Sequence, residues 1–463
     1  RKPSRNKDGF FNSYGAAIDG TDDEDTVLEK VKLRPPQRPT VRMRERETVT
    51  AGRLSTRGRG TSAFFPAVVK VKVEDILRVI RVFPGHPITD DLHPTWEGRS
   101  SPWLSATPVA ADYALSEEAD VIDRFVSHTW GRDRRDPMFK GQEEYASFKG
   151  AELDGAVRDL VDAAEEEEGP LGALGSSGAS AVTCWVDKFC LPASMLQRRI
   201  LVEKHINDVI ERSNGLVALG SSSYFSRLWC VYEWGVYLAV HRDCCTSVDL
   251  RVSWLCSSET FQIPRMAHDI VQLSLETLKS SEASDRVFVE EQVAARFTSR
   301  SQFEQLVQVS ALCVCARTYA VTALDFTSSP ADSPEDAGRL FRRHLEWRRC
   351  KMIQPWVTAA QQLKLEGVEE ALLRFWDNLC DRYTPETHIV ADDAAGTFAV
   401  DSPPLGTIRR LVGAGFEKDL HLVVKEFKAE AIPPWERPAQ GLGAIWRKAS
   451  RRAVGRESAG VWA

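Results

Sequence analysis

The sequence predicts an α/β protein built on a parallel sheet with helices on both faces. Two observations carry that expectation. Short apolar runs, "DRFVSH", "AVTCWVDK", "GLVALG" and "SVDLRVSWL", recur between residues 123 and 255. Between them lie longer stretches whose apolar residues fall at helical spacing rather than in alternation.

Each element follows from its residues. The run "ADVIDRFVSHTW" reads as a first strand and a loop. Leu153, Val157, Leu160, Val161 and Ala164 share one face of a helix over 149–164. The acidic run 165–168 and the Gly/Ser stretch after it lengthen the connection to the second strand and read as surface decoration. "QRRILVEKHINDVIERSN" predicts a helix burying Val202, Ile206, Val209 and Ile210. The third strand, "GLVALG", leads through serines into a helix opening in "SYFSRLWCVYEW". A fourth strand is expected within 247–255 and a short fifth near Leu273–Leu275, ahead of the helix "DRVFVEEQVAARF". Right-handed crossovers gather the loops after these strands on one edge, where open α/β sheets bind ligands.

The flanks read differently. Residues 1–115 are expected to be a largely disordered leader; 32–59 alone hold nine Lys/Arg against two Glu, broken by Pro35, Pro36 and Pro39. The exception is an island, "AFFPAVVKVKVEDILRVIRVF" (63–83), with alternation and then helical spacing, able to dock on the main domain. The α/β domain is expected over 116–300, a helical extension over 301–391 and an irregular tail over 392–463. Trp347, Trp356 and Trp376 fit helix-packing stripes in that extension.

With 60 basic and 66 acidic side chains the net charge is −6, which does not suit a nucleic-acid binder. The most apolar stretch, 306–323, carries Arg317 in its middle and reads as a buried helix rather than a membrane span. No secretory signal opens the chain, which begins at Arg1 as a fragment would, and a cytoplasmic location is expected. The ten cysteines form no CxxC pair and no His spacing suits zinc, so reduced thiols packed as small hydrophobes are expected, with no metal and no bound cofactor. P-loop, GxGxxG and GxSxG patterns are absent from the sequence.

Three blocks carry a family resemblance: "DRFVSHTWGRDRR", "CWVDKFCLP" and "VIERSNGLVALGSSSYFSRLWCVYEW". In order and spacing they resemble Toll/interleukin-1 receptor (TIR) domains, of which the plant type reads "DVFLSFRGEDTR", "F.D...L..G" and "I..S...I.V.S..YA.S.WCL.EL". Ser213, Ser221, Tyr224, Ser226, Trp229, Cys230 and Glu233 match the third block. The wording of the first two is closer to TIR-like domains of algae and other protists. Here "HTWGRD" stands for "FRGED", and the loop "CLPASML" lacks the usual glycine of the segment through which family members self-associate or gate the pocket. The resemblance spans about 180 of 463 residues. It implies a flavodoxin-like sheet of five parallel strands, and one of two roles: adaptor in signalling, or hydrolase of NAD acting through one glutamate, which is Glu233 here.

That chemistry is reasonable for a lone carboxylate. Nicotinamide leaves NAD neutral and needs no proton, so only the oxocarbenium-like ribose requires stabilisation, whereas glycosidases use two carboxylates. The substrate-binding candidates are Ser127, His128, Trp130, Arg135, Asp187 and Trp229. Trp130 offers a face to a pyridinium, Trp229 and Tyr224 a low-dielectric wall, and Arg134 and Arg135 forks for a diphosphate. Each has a duller alternative. Glu233 is otherwise a solvated acid of a first helical turn, Asp187 a cap of the next turn, His128 a hydrogen-bonded loop residue, Trp229 and Cys230 packing residues, and the arginines solvated. The function expected is a TIR-like signalling or defence protein that cleaves NAD as a homo-oligomer, or a non-catalytic interaction module of the same fold.

Overall fold

The computed structural model describes residues 78–84, 103, 110–119, 121–130, 141–172, 181–241, 245–252, 259–280, 282–325, 330–383, 389–392, 397–401 and 403–436. All belong to one compact unit that begins at Val71. Strand β1 (Arg78–Val82), helix α1 (Ala110–Tyr113) and the short β2 (Glu117–Glu118) come first. Then follow β3 (Arg124–His128), α2 (Gln142–Gly172), β4 (Val182–Val186), α3 (Asp187–Cys190), α4 (Met195–Arg212), β5 (Leu216–Gly220), α5 (Leu228–Val240) and β6 (Val248–Val252). Six helices come next: α6 (Glu259–Val271), α7 (Ala283–Arg296), α8 (Arg300–Leu324), α9 (Pro334–Arg348), α10 (Gln354–Leu363) and α11 (Val368–Arg382). A ribbon of β7 (Ile389–Asp392) and β8 (Thr397–Val400) precedes α12 (Leu405–Asp419) and α13 (His421–Ala431).

The main sheet has six strands in the order β2-β1-β4-β3-β5-β6. The four strands expected from the apolar runs, β4, β3, β5 and β6, are mutually parallel, whereas β1 runs antiparallel to both β4 and β2. The sheet is therefore mixed. Because β3 has β4 on one side and β5 on the other, the winding reverses at β3, and a crevice opens beyond the carboxyl ends of such strands.

Coverage of both faces explains the strand sequences. Every residue of β5 is buried, and a strand enclosed on both faces reads as a continuous apolar run. Strand β6 alternates instead: Val248, Leu250 and Val252 are buried, while Arg251 reaches Asp159 on α2 across the opposite face. Helix α5 packs under β3 and against α4.

Helix α8 ties the C-terminal helices to the sheet. Gly235 on α5 permits the approach, since a Cβ there would lie 2.2 Å from the Phe303 ring. Trp234 donates its indole N–H to Ser310 Oγ at 2.9 Å. Arg317 donates to the carbonyls of Cys245, at 3.0 Å, and Val248, at the start of β6. Although α8 is long and apolar enough to cross a membrane, most of it is buried inside the fold. On α13, Lys428 reaches the carbonyl of His241 at 2.5 Å.

Four expectations need correction. Leu273–Leu275 lead into a turn rather than forming a fifth strand, with Thr277 and Leu278 bonded back to the Ser274 carbonyl. The end of the island at 63–83, expected at helical spacing, is a strand: "RVIRV" is β1, between β2 and β4, burying Val79, Ile80 and Val82, while Arg78 donates to Ser116 Oγ at 2.9 Å and Arg81 pairs with Glu117. It pairs with β4, so this part of the island docks on the sheet, and the remainder of 1–115, beyond residues 78–84, 103 and 110–115, lies outside the described residues. The tail from 392 is not irregular over its described residues 403–436, where Ile408, Val412 and Phe416 form a buried helical stripe on α12. Trp347 is 40% exposed, in contrast to the buried Trp356 and Trp376. Of the described cysteines, Cys184, Cys190, Cys230, Cys245, Cys313 and Cys315 are buried free thiols, and Cys350 is exposed.

Candidate functional site

The last two residues of β3 point to opposite faces of the sheet, as strand geometry requires. Ser127 faces α5, where its hydroxyl donates to Glu233 Oε2 at 2.5 Å. Tyr224, in the turn after β5, donates its own hydroxyl to Ser127 Oγ at 2.8 Å. A directed chain thus runs from Tyr224 through Ser127 to Glu233. Glu233 lies beyond the first turn of α5 and is only 9% exposed, so it is not the solvated first-turn acid of the alternative reading. Burial pushes its carboxyl up to about 8; the Ser127 bond pulls the other way and the charge of Asp187 adds to the rise.

On the other face, His128 is buried edge-on against Trp103. Its Nε2 lies 3.0 Å from Asp187 Oδ1 and its Nδ1 lies 3.1 Å from the Thr129 carbonyl. Asp187 follows β4 directly, and its second oxygen accepts the indole N–H of Trp130. Its carboxylate therefore ties the end of β4 back to the loop after β3, and the cap reading gives way to a cross-strand one. Burial pushes Asp187 up, but the His128 partner, Arg198 and the Trp130 bond outweigh it and hold the carboxyl below its ordinary range. Burial pushes the His128 imidazole down, against the pull of Asp187.

Three buried basic side chains lie near this acid. Lys149 on α2 donates to the carbonyls of Thr129 and Trp130 at 3.3 and 3.4 Å and sits over the rings of Trp103 and Tyr145. Burial pushes its amine down to about 7, with Lys188 adding and Asp187 opposing. Arg198, in the first turn of α4, lies 3.9 Å over the Trp130 ring and donates to the Asp187 backbone carbonyl at 3.5 Å. Lys188 is buried beside Asp187.

Ser127, His128, Trp130, Asp187 and Glu233 are thus brought together around the carboxyl ends of β3 and β4. Trp229 is not among them: its ring packs on Tyr232 and Phe288, and its N–H donates to Asp285 of α7 at 3.0 Å. Tyr224, expected as an apolar wall, is a hydrogen-bond donor within the site. Trp130 already carries a guanidinium on one face. Arg134 and Arg135 lie outside the described residues.

Sequence reasoning missed Lys149 and Arg198. A lysine four residues after Tyr145, on the stripe that also buries Leu153 and Val157, is a usable signal for the first. Arg198 stands in "LQRRILVE" beside exposed Arg199, and nothing local separates the two.

Among the described residues no group of three His, Cys, Asp or Glu could hold a metal ion. A cavity of about 180 Å³ lies between Glu211, Ala239, Val240, Arg296, Ile432 and Glu436, away from this cluster. Chemically, the cluster offers a buried carboxyl held by a serine, an ionised aspartate joining two strand ends, and cationic donors beside them. Comparisons of the chain with protein-family models, with curated proteins and with solved structures found no match.

Proposed function

We propose that the α/β domain is TIR-like, of the flavodoxin-like kind, and that it hydrolyses NAD at the nicotinamide–ribose bond with Glu233 as its catalytic residue. The observation that carries this reading is the Glu233 carboxyl, buried and held at 2.5 Å by Ser127 at the carboxyl end of β3, where the winding reverses. In the reaction the bond between ribose C1′ and the ring nitrogen breaks, and its electron pair neutralises the pyridinium. Positive charge then grows on the ribose, where an adjacent carboxylate stabilises it. Water adds to C1′ and yields its proton to Glu233, giving ADP-ribose. The arriving pyridinium itself favours the ionised carboxylate, which lowers the raised pKa of the empty site.

The test is nicotinamide release from NAD by concentrated protein, beside Glu233→Ala. Loss of at least 100-fold in the variant is expected; equal turnover would remove Glu233 from the mechanism.

One observation favours a second reading. The Glu233 carboxyl points inward to a protein hydroxyl, as in a structural polar network that rigidifies a core. A TIR-like interaction module, self-associating in signalling without catalysis, fits that arrangement and would release no nicotinamide in either protein.

A further inference from the structure

We infer that the cationic cluster at the carboxyl end of β4 is a binding site for the diphosphate of a nucleotide, with Arg198 as its principal contact. The inference deepens the reading above by placing the phosphates of its substrate.

The argument begins with charge. Lys149, Lys188 and Arg198 are 1%, 2% and 9% exposed. Buried charges are ordinarily paired, and the acids acting on this group are Asp187 and Asp112. Both carboxylate oxygens of Asp187 are already engaged, by His128 and by Trp130. Arg198 meets that acid through space and through a single long bond to its backbone carbonyl. A guanidinium has five N–H donors in a planar fork suited to phosphate oxygens. Its guanidinium carbon lies 3.9 Å from the centre of the Trp130 ring, and among the described residues its side-chain hydrogen bond is the one long contact to the Asp187 carbonyl.

Two further features favour phosphate. Arg198 is in the first turn of α4, an 18-residue helix whose N-cap, Ser194, makes no side-chain capping bond, so no capping side chain competes with an anion at that end. Solvent also reaches the cluster, because the Asp187 side chain is 21% exposed. Lys149 draws the Thr129 and Trp130 carbonyls inward, which keeps those acceptors away from an incoming anion.

Calorimetric titration of the full chain at low salt, with ADP and with adenosine as probes, tests the site. ADP is expected to bind at least tenfold more tightly than adenosine, with the advantage shrinking as salt rises. Arg198→Ala should abolish that advantage and leave adenosine binding unchanged. If Arg198→Ala does not fold, Arg198→Lys decides, since it keeps the charge but loses the fork and should weaken ADP severalfold. Equal affinity for ADP and adenosine, or an ADP affinity indifferent to Arg198, overturns the inference. Nicotinamide release that persists with an unchanged KM in the Arg198 variant would leave the catalytic reading standing and this one not. ADP binding through Arg198 without any NAD cleavage would do the reverse.

Discussion

Ser127 donates its hydroxyl to Glu233 across 2.5 Å, joining residues 106 positions apart in the chain. Because Tyr224 donates to the same oxygen, the serine proton has one direction to point, and the carboxyl receives a polarised donor rather than a freely turning one. The behaviour of Glu233 under mutation and pH follows from this chain and from burial.

The pH dependence of stability has a definite sign. Unfolded, Glu233 ionises near 4.5; folded, near 8. Between those values the native state holds a proton the unfolded state has lost, so stability falls as pH rises through this window, by up to about 1.4 kcal/mol per unit. Glu233→Gln should flatten that slope. Urea midpoints from pH 5 to 8.5 would show it, and parallel slopes in the two proteins would refute the assignment.

Lys149 acts in the opposite sense. Its amine is lowered from 10.5 to about 7, so the unfolded state binds the extra proton between those values and stability gains as pH rises through them. Lys149→Met should remove this alkaline gain, read from the same urea series extended to pH 10.

Removing the Ser127 hydroxyl leaves Tyr224 without its acceptor and Glu233 without its donor. Ser127→Ala is expected to cost about 1–3 kcal/mol in stability. It should also move the rise of kcat/KM with pH in nicotinamide release to more alkaline values, since the ionised carboxylate loses its only hydroxyl donor among the described residues. A profile unmoved by the substitution would show that Ser127 does not tune Glu233.

Asp187→Asn keeps the shape but removes the charge between His128, Trp130 and Arg198. Asp187 is held below its ordinary value, so its contribution is present above about 4 and lost as pH falls through the folded pKa. The variant should lose stability at neutral pH and show a weaker acid limb. Unchanged melting at both pH 7 and pH 3 would contradict this.

The contact of Gly235 with Phe303 makes the C-terminal helices part of the same fold. Gly235→Ala would drive a methyl into the ring, an overpacking cost of about 1–3 kcal/mol. Phe303→Leu in the same chain should recover part of the loss, as measured by thermal melts; no recovery would mean that α5 and α8 are held apart by other contacts.

Residue order alone determined the parallel core of this protein. β3, β4 and β5 were legible because strands enclosed on both faces are short apolar runs, β6 because its buried side chains alternate, and α2, α4 and α8 because a buried helical stripe must repeat near every fourth residue. Glu233 was legible as a candidate through the resemblance of its block to TIR domains, and Ser127, His128, Trp130 and Asp187 because strand ends in such sheets are where side chains converge. What only the tertiary structure decided were the pairings: β1 on the edge of β4, Trp229 turned to α7, Tyr224 behind Ser127, and Arg198 rather than Arg199 laid on Trp130. Hydrogen bonds and ring stacking act over a few ångströms, whereas these partners lie tens of residues apart, so their contacts exist only once the packing of the whole core has fixed each side chain's direction.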